Sequence, residues 1–123
     1  MSETNSLRVL VVDDNVDAAD SMAALLDMIG HEARVVYSGE AVAAEVQAWS
    51  PHCVLLDIGL PGKDGYEVAR ELRASGFRHA LVALTGWGSE DDRRRTAEAG
   101  FDRHLTKPVE LDALEQLLRQ LPR

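Results

Sequence analysis

The sequence predicts an α/β fold, a doubly wound parallel sheet, and three observations carry that prediction. Five apolar runs of strand length alternate with five segments of helical spacing. The runs at 9–12, 53–56 and 80–84 are apolar almost without a break, as strands covered on both faces must be. Polar side chains stand at the carboxyl ends of four runs, the edge where open α/β sheets bind their ligands.

The first run, 7–12 (LRVLVV), ends in Asp13-Asp14, and Asn15 opens the next segment. Over 16–29, Val16, Ala19, Met22, Ala23, Leu26 and Ile29 follow the three-and-four rhythm of one helix face, and Gly30 is a natural stop. A second run, 33–37 (ARVVY), leads to Ser38, which can cap a helix from Gly39 to Ala48 that ends at Ser50-Pro51. The third, 53–56 (CVLL), delivers Asp57 into a loop holding Leu60-Pro61-Gly62 and Asp64-Gly65, whose glycines permit close backbone approach. A helix over 65–74 turns Tyr66, Val68, Ala69 and Leu72 inward, with Gly76 just past its end. The fourth run, 80–84 (ALVAL), ends at Thr85; Ser89 can cap a helix over 90–99 that Gly100 closes. The last, 103–106 (RHLT), precedes Lys107-Pro108, and a final helix over 110–120 carries Leu111, Leu114, Leu117 and Leu118, with Leu121 following.

A chain of 123 residues holds one domain, here 7–121 behind an N-terminal tail of 1–6. Its apolar fraction of 46% suits a globular core, while no apolar run approaches the roughly 20 residues that span a bilayer, so no membrane association is expected. The start lacks the basic and apolar regions of a secretory signal, which points to the cytoplasm. A net charge of −8 opposes the phosphate attraction on which nucleic-acid binding rests. Cys53, the one cysteine, reads as a small buried thiol without a chemical role. The four histidines have no ligand spacing, and Asp91-Asp92-Arg93-Arg94-Arg95 reads as a solvated helix face with internal charge pairs.

Asp13, Asp14 and Asp57 converge on one edge of the sheet. Alone, each would read as a helix cap or turn residue, Thr85 as a strand-end hydroxyl and Lys107 as a surface charge. Three carboxylates converging in one pocket repel one another unless a cation compensates them, and a set of oxygen donors suits Mg²⁺ rather than zinc. A carboxylate can also accept a phosphoryl group, a transfer governed by positioning and charge neutralisation that Lys107 and Thr85 can assist.

With these motifs in order, VVDDN, LLDIGLPGKDGYE, ALTGWG and HLTKPV, the sequence resembles the CheY-like receiver domain of two-component response regulators from Leu7 to Leu121. The resemblance implies a flavodoxin-like five-stranded sheet of order 2-1-3-4-5. It implies Asp57 as phosphoacceptor, Asp14 and Asp57 as direct Mg²⁺ ligands with the Gly59 carbonyl, and Asp13 acting partly through water. Thr85 and Lys107 would contact the phosphoryl group, Gly86 would leave access for the donor, and the Lys107–Pro108 bond would be cis. The donor would be a sensor histidine kinase or histidine phosphotransfer protein, and output would pass by protein contact through helix 4, strand 5 and helix 5.

Two rivals share the fold. A phosphorylation-independent interaction module would not need the full set of acids, hydroxyl and lysine. A phosphatase with an aspartyl-phosphate intermediate wants a second Asp two residues after the first, where this chain has Gly59. Receiver domains usually carry an aromatic residue three positions before the lysine; His104 stands there, smaller than a phenol and titratable near neutral pH. Gly59 offers no side chain to orient a water, and the indole of Trp87 can cover the site, so the phosphoryl group is expected to persist. Loss of radiolabel from the phosphorylated chain measures this, and a half-life of seconds contradicts it.

Overall fold

The computed structural model describes residues 6–86 and 90–121, the side chains of 90–92 excepted. The expected helix cap Ser89 and the expected cover of the site, Trp87, lie outside the described residues. Five strands, β1 (Arg8–Val12), β2 (Glu32–Val36), β3 (Cys53–Asp57), β4 (Ala80–Thr85) and β5 (Arg103–Thr106), form one parallel sheet of order β2-β1-β3-β4-β5. Between and after them run α1 (Val16–Met28), α2 (Val42–Trp49), α3 (Gly65–Ala74), α4 (Glu90–Ala99) and α5 (Leu111–Gln120). The expected fold class and strand order are those observed.

Strand alternation divides the core into two layers. Val9, Val11, Leu55, Val82 and Leu84 point to the face covered by α1 and α5, where they meet Leu26, Leu114 and Leu118. Their neighbours Leu10, Val12, Val54, Leu56, Leu81 and Ala83 point to the other face, against Val42 of α2, Val68 and Leu72 of α3 and Ala99 of α4. Each inner strand is therefore buried on both sides, which is why its sequence has no polar alternation. Cys53 belongs to the first layer, fully buried, and burial, with the field of Asp102 adding, pushes its thiol far above the usual range.

Local chemistry sets the element ends. The Asn15 side chain accepts a hydrogen bond from the Ala18 N–H at 3.0 Å and caps α1, while Gly30 takes the left-handed conformation (φ +93°) beyond its end. Asp64 caps α3 in the same way through the Glu67 N–H, a role the sequence reading did not assign. Ser38 differs from expectation: it is extended and makes no side-chain cap, because a tight 3-10 turn over Gly39–Ala41 comes before α2. Val16 is also not on the buried stripe; at the first position of α1 it is 50% exposed.

Two histidines complete the start of β1. The N–H of Leu7, the residue before the strand, donates to His31 Nδ1 at 3.0 Å and that of Arg8, its first residue, to His52 Nδ1 at 2.9 Å, so an imidazole stands in for a ladder carbonyl at each. At the same end of the sheet the Arg73 guanidinium donates to the carbonyls of Phe77, His79 and Gly100 and to Asp102, which in turn accepts from the Leu81 N–H. The histidines thus serve the backbone at the end of the sheet opposite the acidic cluster.

Candidate functional site

The winding of the sheet reverses at β1 and β3, so the carboxyl ends of those strands open a crevice with no crossover helix in the way. Register then fixes who meets there: Val12 pairs with Leu56, which sets Asp13 beside Asp57. On the other flank, Thr85 closes β4 opposite Thr106, the residue before Lys107. Four strand ends thus bring their polar residues to one place, as the order of the motifs predicts.

Lys107 lies at the centre. Its ammonium donates to Asp13 Oδ2 at 2.9 Å and to Asp57 Oδ2 at 3.0 Å. The remaining oxygens accept from backbone: Asp13 Oδ1 from the Asn15 N–H at 3.0 Å, and Asp57 Oδ1 from the Gly59 N–H at 2.8 Å. Asp13 is 2% exposed, Asp14 is exposed, and ligand oxygens of Asp13, Asp14 and Asp57 all lie within 4.8 Å of one another. Among the described residues, these three form the one acidic, histidine or cysteine group close enough to hold a metal ion. Burial works against the charged form of Lys107, but its hydrogen bonds to Asp13 and Asp57 outweigh it and hold the ammonium above its ordinary value.

Thr85 is buried, and its carbonyl accepts the Lys107 N–H at 2.7 Å, tying the end of β4 to the chain that carries the lysine. The Lys107–Pro108 bond is cis. Gly86 is exposed, with open space where a Cβ would stand. His104, on β5 opposite Ala83, is half-buried; burial, with the charge of Arg93 on α4 adding, holds its imidazole below the ordinary value. Unforeseen from sequence is an apolar cavity of about 460 Å³ beside the acids, lined by Val11, Met22, Leu25, Leu84, Pro108 and Val109.

A doubly wound sheet whose switch point holds three carboxylates and a lysine defines the class of flavodoxin-like domains that work through the carboxyl edge. A family model for the response regulator receiver domain matches residues 9–119, and the chain belongs to that family, one of signalling domains rather than classical enzymes. It is 36% identical over 97% of its length to the transcriptional regulatory protein TcrA of Mycobacterium tuberculosis, 47% of which it covers. The virulence sensor protein BvgS of Bordetella bronchiseptica is 38% identical over 94% of the chain, which covers 10% of that protein. The chain thus spans half or less of the length of these curated relatives.

Solved structures agree. A putative response regulator from Chloroflexus aurantiacus superposes with a TM-score of 0.86 at 28% identity, covering 93% of this chain and 95% of that one. The receiver domain of sensor histidine kinase PA1611 from Pseudomonas aeruginosa, with a magnesium ion coordinated in its active site cleft, gives 0.85 at 29% identity, covering 94% and 97%. Among the described residues, no helix is long and apolar enough to cross a membrane.

The lysine makes the pocket's contribution to stability depend on alkaline pH. Because its folded pKa is raised, that contribution is whole below the ordinary lysine value of about 10.4 and is lost as pH rises through the folded value. Between about pH 7 and about pH 10, urea unfolding of wild type and Lys107→Met should therefore differ by a constant amount, and the two should converge at higher pH. A difference unchanged to pH 12 would contradict the bridge. Lys63 is the only other lysine and is common to both proteins.

Proposed function

We propose that the chain is a phosphoryl-accepting switch, in which Asp57 takes its phosphoryl group from a phosphohistidine on a sensor histidine kinase or histidine phosphotransfer protein. One observation carries this reading: Lys107 Nζ joins Asp13 and Asp57 within a cluster of three carboxylates that a single cation can span. The donor set fits Mg²⁺, since it is made of hard oxygen ligands crowded at one charged corner. Asp14, Asp57 and the Gly59 carbonyl are the residues to hold the ion directly, with Asp13 acting partly through water. When bound, Mg²⁺ supplies positive charge to the phosphoryl oxygens.

The chain's own groups do the rest. A carboxylate oxygen of Asp57 forms the new O–P bond as the P–N bond of the phosphohistidine breaks, its electron pair returning to the imidazole nitrogen. The Gly59 N–H and the Lys107 ammonium orient that carboxylate beforehand, so little reorganisation precedes the transfer. Lys107 then pairs with a phosphoryl oxygen and the Thr85 hydroxyl bonds another. Because the Thr85 carbonyl already holds the Lys107 N–H, a shift at either residue is felt by the other. The surface of α4, β5 and α5 is the place for output, and His104 stands on it.

Addition of Mg²⁺ and beryllofluoride should change the tryptophan fluorescence of the wild type and leave Asp57→Asn unchanged. A response that survives in Asp57→Asn would overturn the phosphoacceptor assignment; no response in either would favour the phosphorylation-independent module.

The depressed pKa of His104 moves its titration below the ordinary value of about 6.5. Neutral imidazole is the form the fold favours, so the resting arrangement is whole above that value and weakens as pH falls through it. Beryllofluoride-induced movement of the Thr85 and Arg93 amide resonances should therefore differ between pH 8 and pH 5.5 in the wild type and not in His104→Ala. Identical behaviour of the two proteins at both pH values would remove His104 from the switch.

A further inference from the structure

The loop from Ile58 to Asp64 carries Gly59 at one end and Lys63 at the other, so anything that fixes Lys63 bears on the placement of the Gly59 carbonyl. At the Lys63 end the loop lies directly on Gly39, the first residue of the 3-10 turn before α2. Gly39 is buried with an ordinary backbone, so a left-handed φ is not what requires glycine here. The requirement is space: a Cβ at Gly39 would stand 2.5 Å from the Lys63 carbonyl oxygen and 2.9 Å from Val68 Cγ2. The first of these is backbone and cannot rotate away, so the loop itself must lift.

Charge adds to this contact: α3 supplies the direct partner of Lys63, and the turn supplies the field of Glu40. Lys63 donates to Glu71 of α3 at 2.8 Å, and that bond raises its pKa; burial opposes, and the fields of Glu71, Glu40 and Glu67 add to the rise. Glu40 follows Gly39, and its Oε2 also lies 3.4 Å from where a Cβ of Gly62 would stand. Lys63 thus feels carboxylates from two elements, the turn before α2 and helix α3, while its carbonyl lies against Gly39.

We infer that the Gly39–Glu40 turn is a positioning element for the acidic pocket: by seating Lys63 it fixes the β3–α3 loop and with it the Gly59 carbonyl. This rests on the proposed metal site and adds to it residues that touch neither metal nor phosphoryl group. Loss of a group that orients a metal ligand from behind typically weakens metal affinity by about 10–100-fold.

The test is Mg²⁺ calorimetry with amide NMR on the full chain. Gly39→Ala should bind Mg²⁺ about tenfold more weakly and, without metal, move the Gly59 and Lys63 amide resonances while leaving Asn15 and Ala18 in place. Leu118→Ala, a core truncation in α5 on the other face of the sheet, should lower the melting temperature and keep wild-type Mg²⁺ affinity. A folded Gly39→Ala with wild-type affinity overturns the inference, as does equal weakening in Leu118→Ala. Where Gly39→Ala does not fold, Glu40→Gln serves, with an expected weakening of about twofold, and unchanged affinity there overturns it too. A wild type that binds no Mg²⁺ overturns the metal reading instead; the metal-free Gly59 and Lys63 resonances of Gly39→Ala then decide positioning by themselves.

Discussion

The structure depends on one balance of charge, in which a single ammonium holds two carboxylates at the switch point of the sheet. Asp13 is almost wholly buried, and a carboxylate there would be costly without the hydrogen bonds from Lys107 Nζ and the Asn15 N–H. The two ends of the Lys107–Asp13 bridge lie 94 residues apart in sequence, so it forms only when β1, β3, β4 and β5 are all in register. The bridge is therefore the point at which the fold and the pocket become the same constraint.

The sheet makes that constraint reachable. Strands buried on both faces admit no polar residue along their length, so chemistry is excluded from the interior and gathers where each strand stops. Parallel winding then sends all those stops to one edge, and the reversal at β1 and β3 keeps a crossover from covering it. At the opposite edge, backbone groups left by the strand starts and helix ends are met by His31, His52, Arg8 and Arg73. One end of the sheet is thus closed by side chains that serve its backbone, which leaves the other free to hold groups that serve a ligand.

Much of this was legible because it follows from period and punctuation. Continuous apolar runs, helical stripes and Gly30 needed no tertiary information, and the convergence of Asp13, Asp57, Thr85 and Lys107 follows once the strands are parallel. What escaped depended on contact between distant segments. Ser38 has the right chemistry for a cap, but its helix opens with a 3-10 turn pressed against the β3–α3 loop. Val16 has the right spacing for burial, but the core begins one turn later. Histidine spacing excluded a metal site without hinting that His31 and His52 would accept from β1, because their partners lie 24 and 44 residues away.

Charge also explains why the lysine, rather than an acid, is the moving part of the proposed switch. Three carboxylates against one ammonium leave the pocket two charges short, and in the proposed switch a phosphoryl group on Asp57 would bring further negative charge, on its own oxygens, beside the carboxylate Lys107 already touches. Asp13 is fixed by the Asn15 N–H and Asp57 by the Gly59 N–H, so neither acid can swing without losing a backbone bond. Lys107 has a flexible side chain, one third exposed, and gives up only Asp57 Oδ2 when it turns to a phosphoryl oxygen. Its own N–H stays on the Thr85 carbonyl, which joins the lysine to the end of β4, while β5, the strand that carries His104, leads directly into Lys107. A rigid pair of acids and one mobile cation turn a change of charge into a change of position.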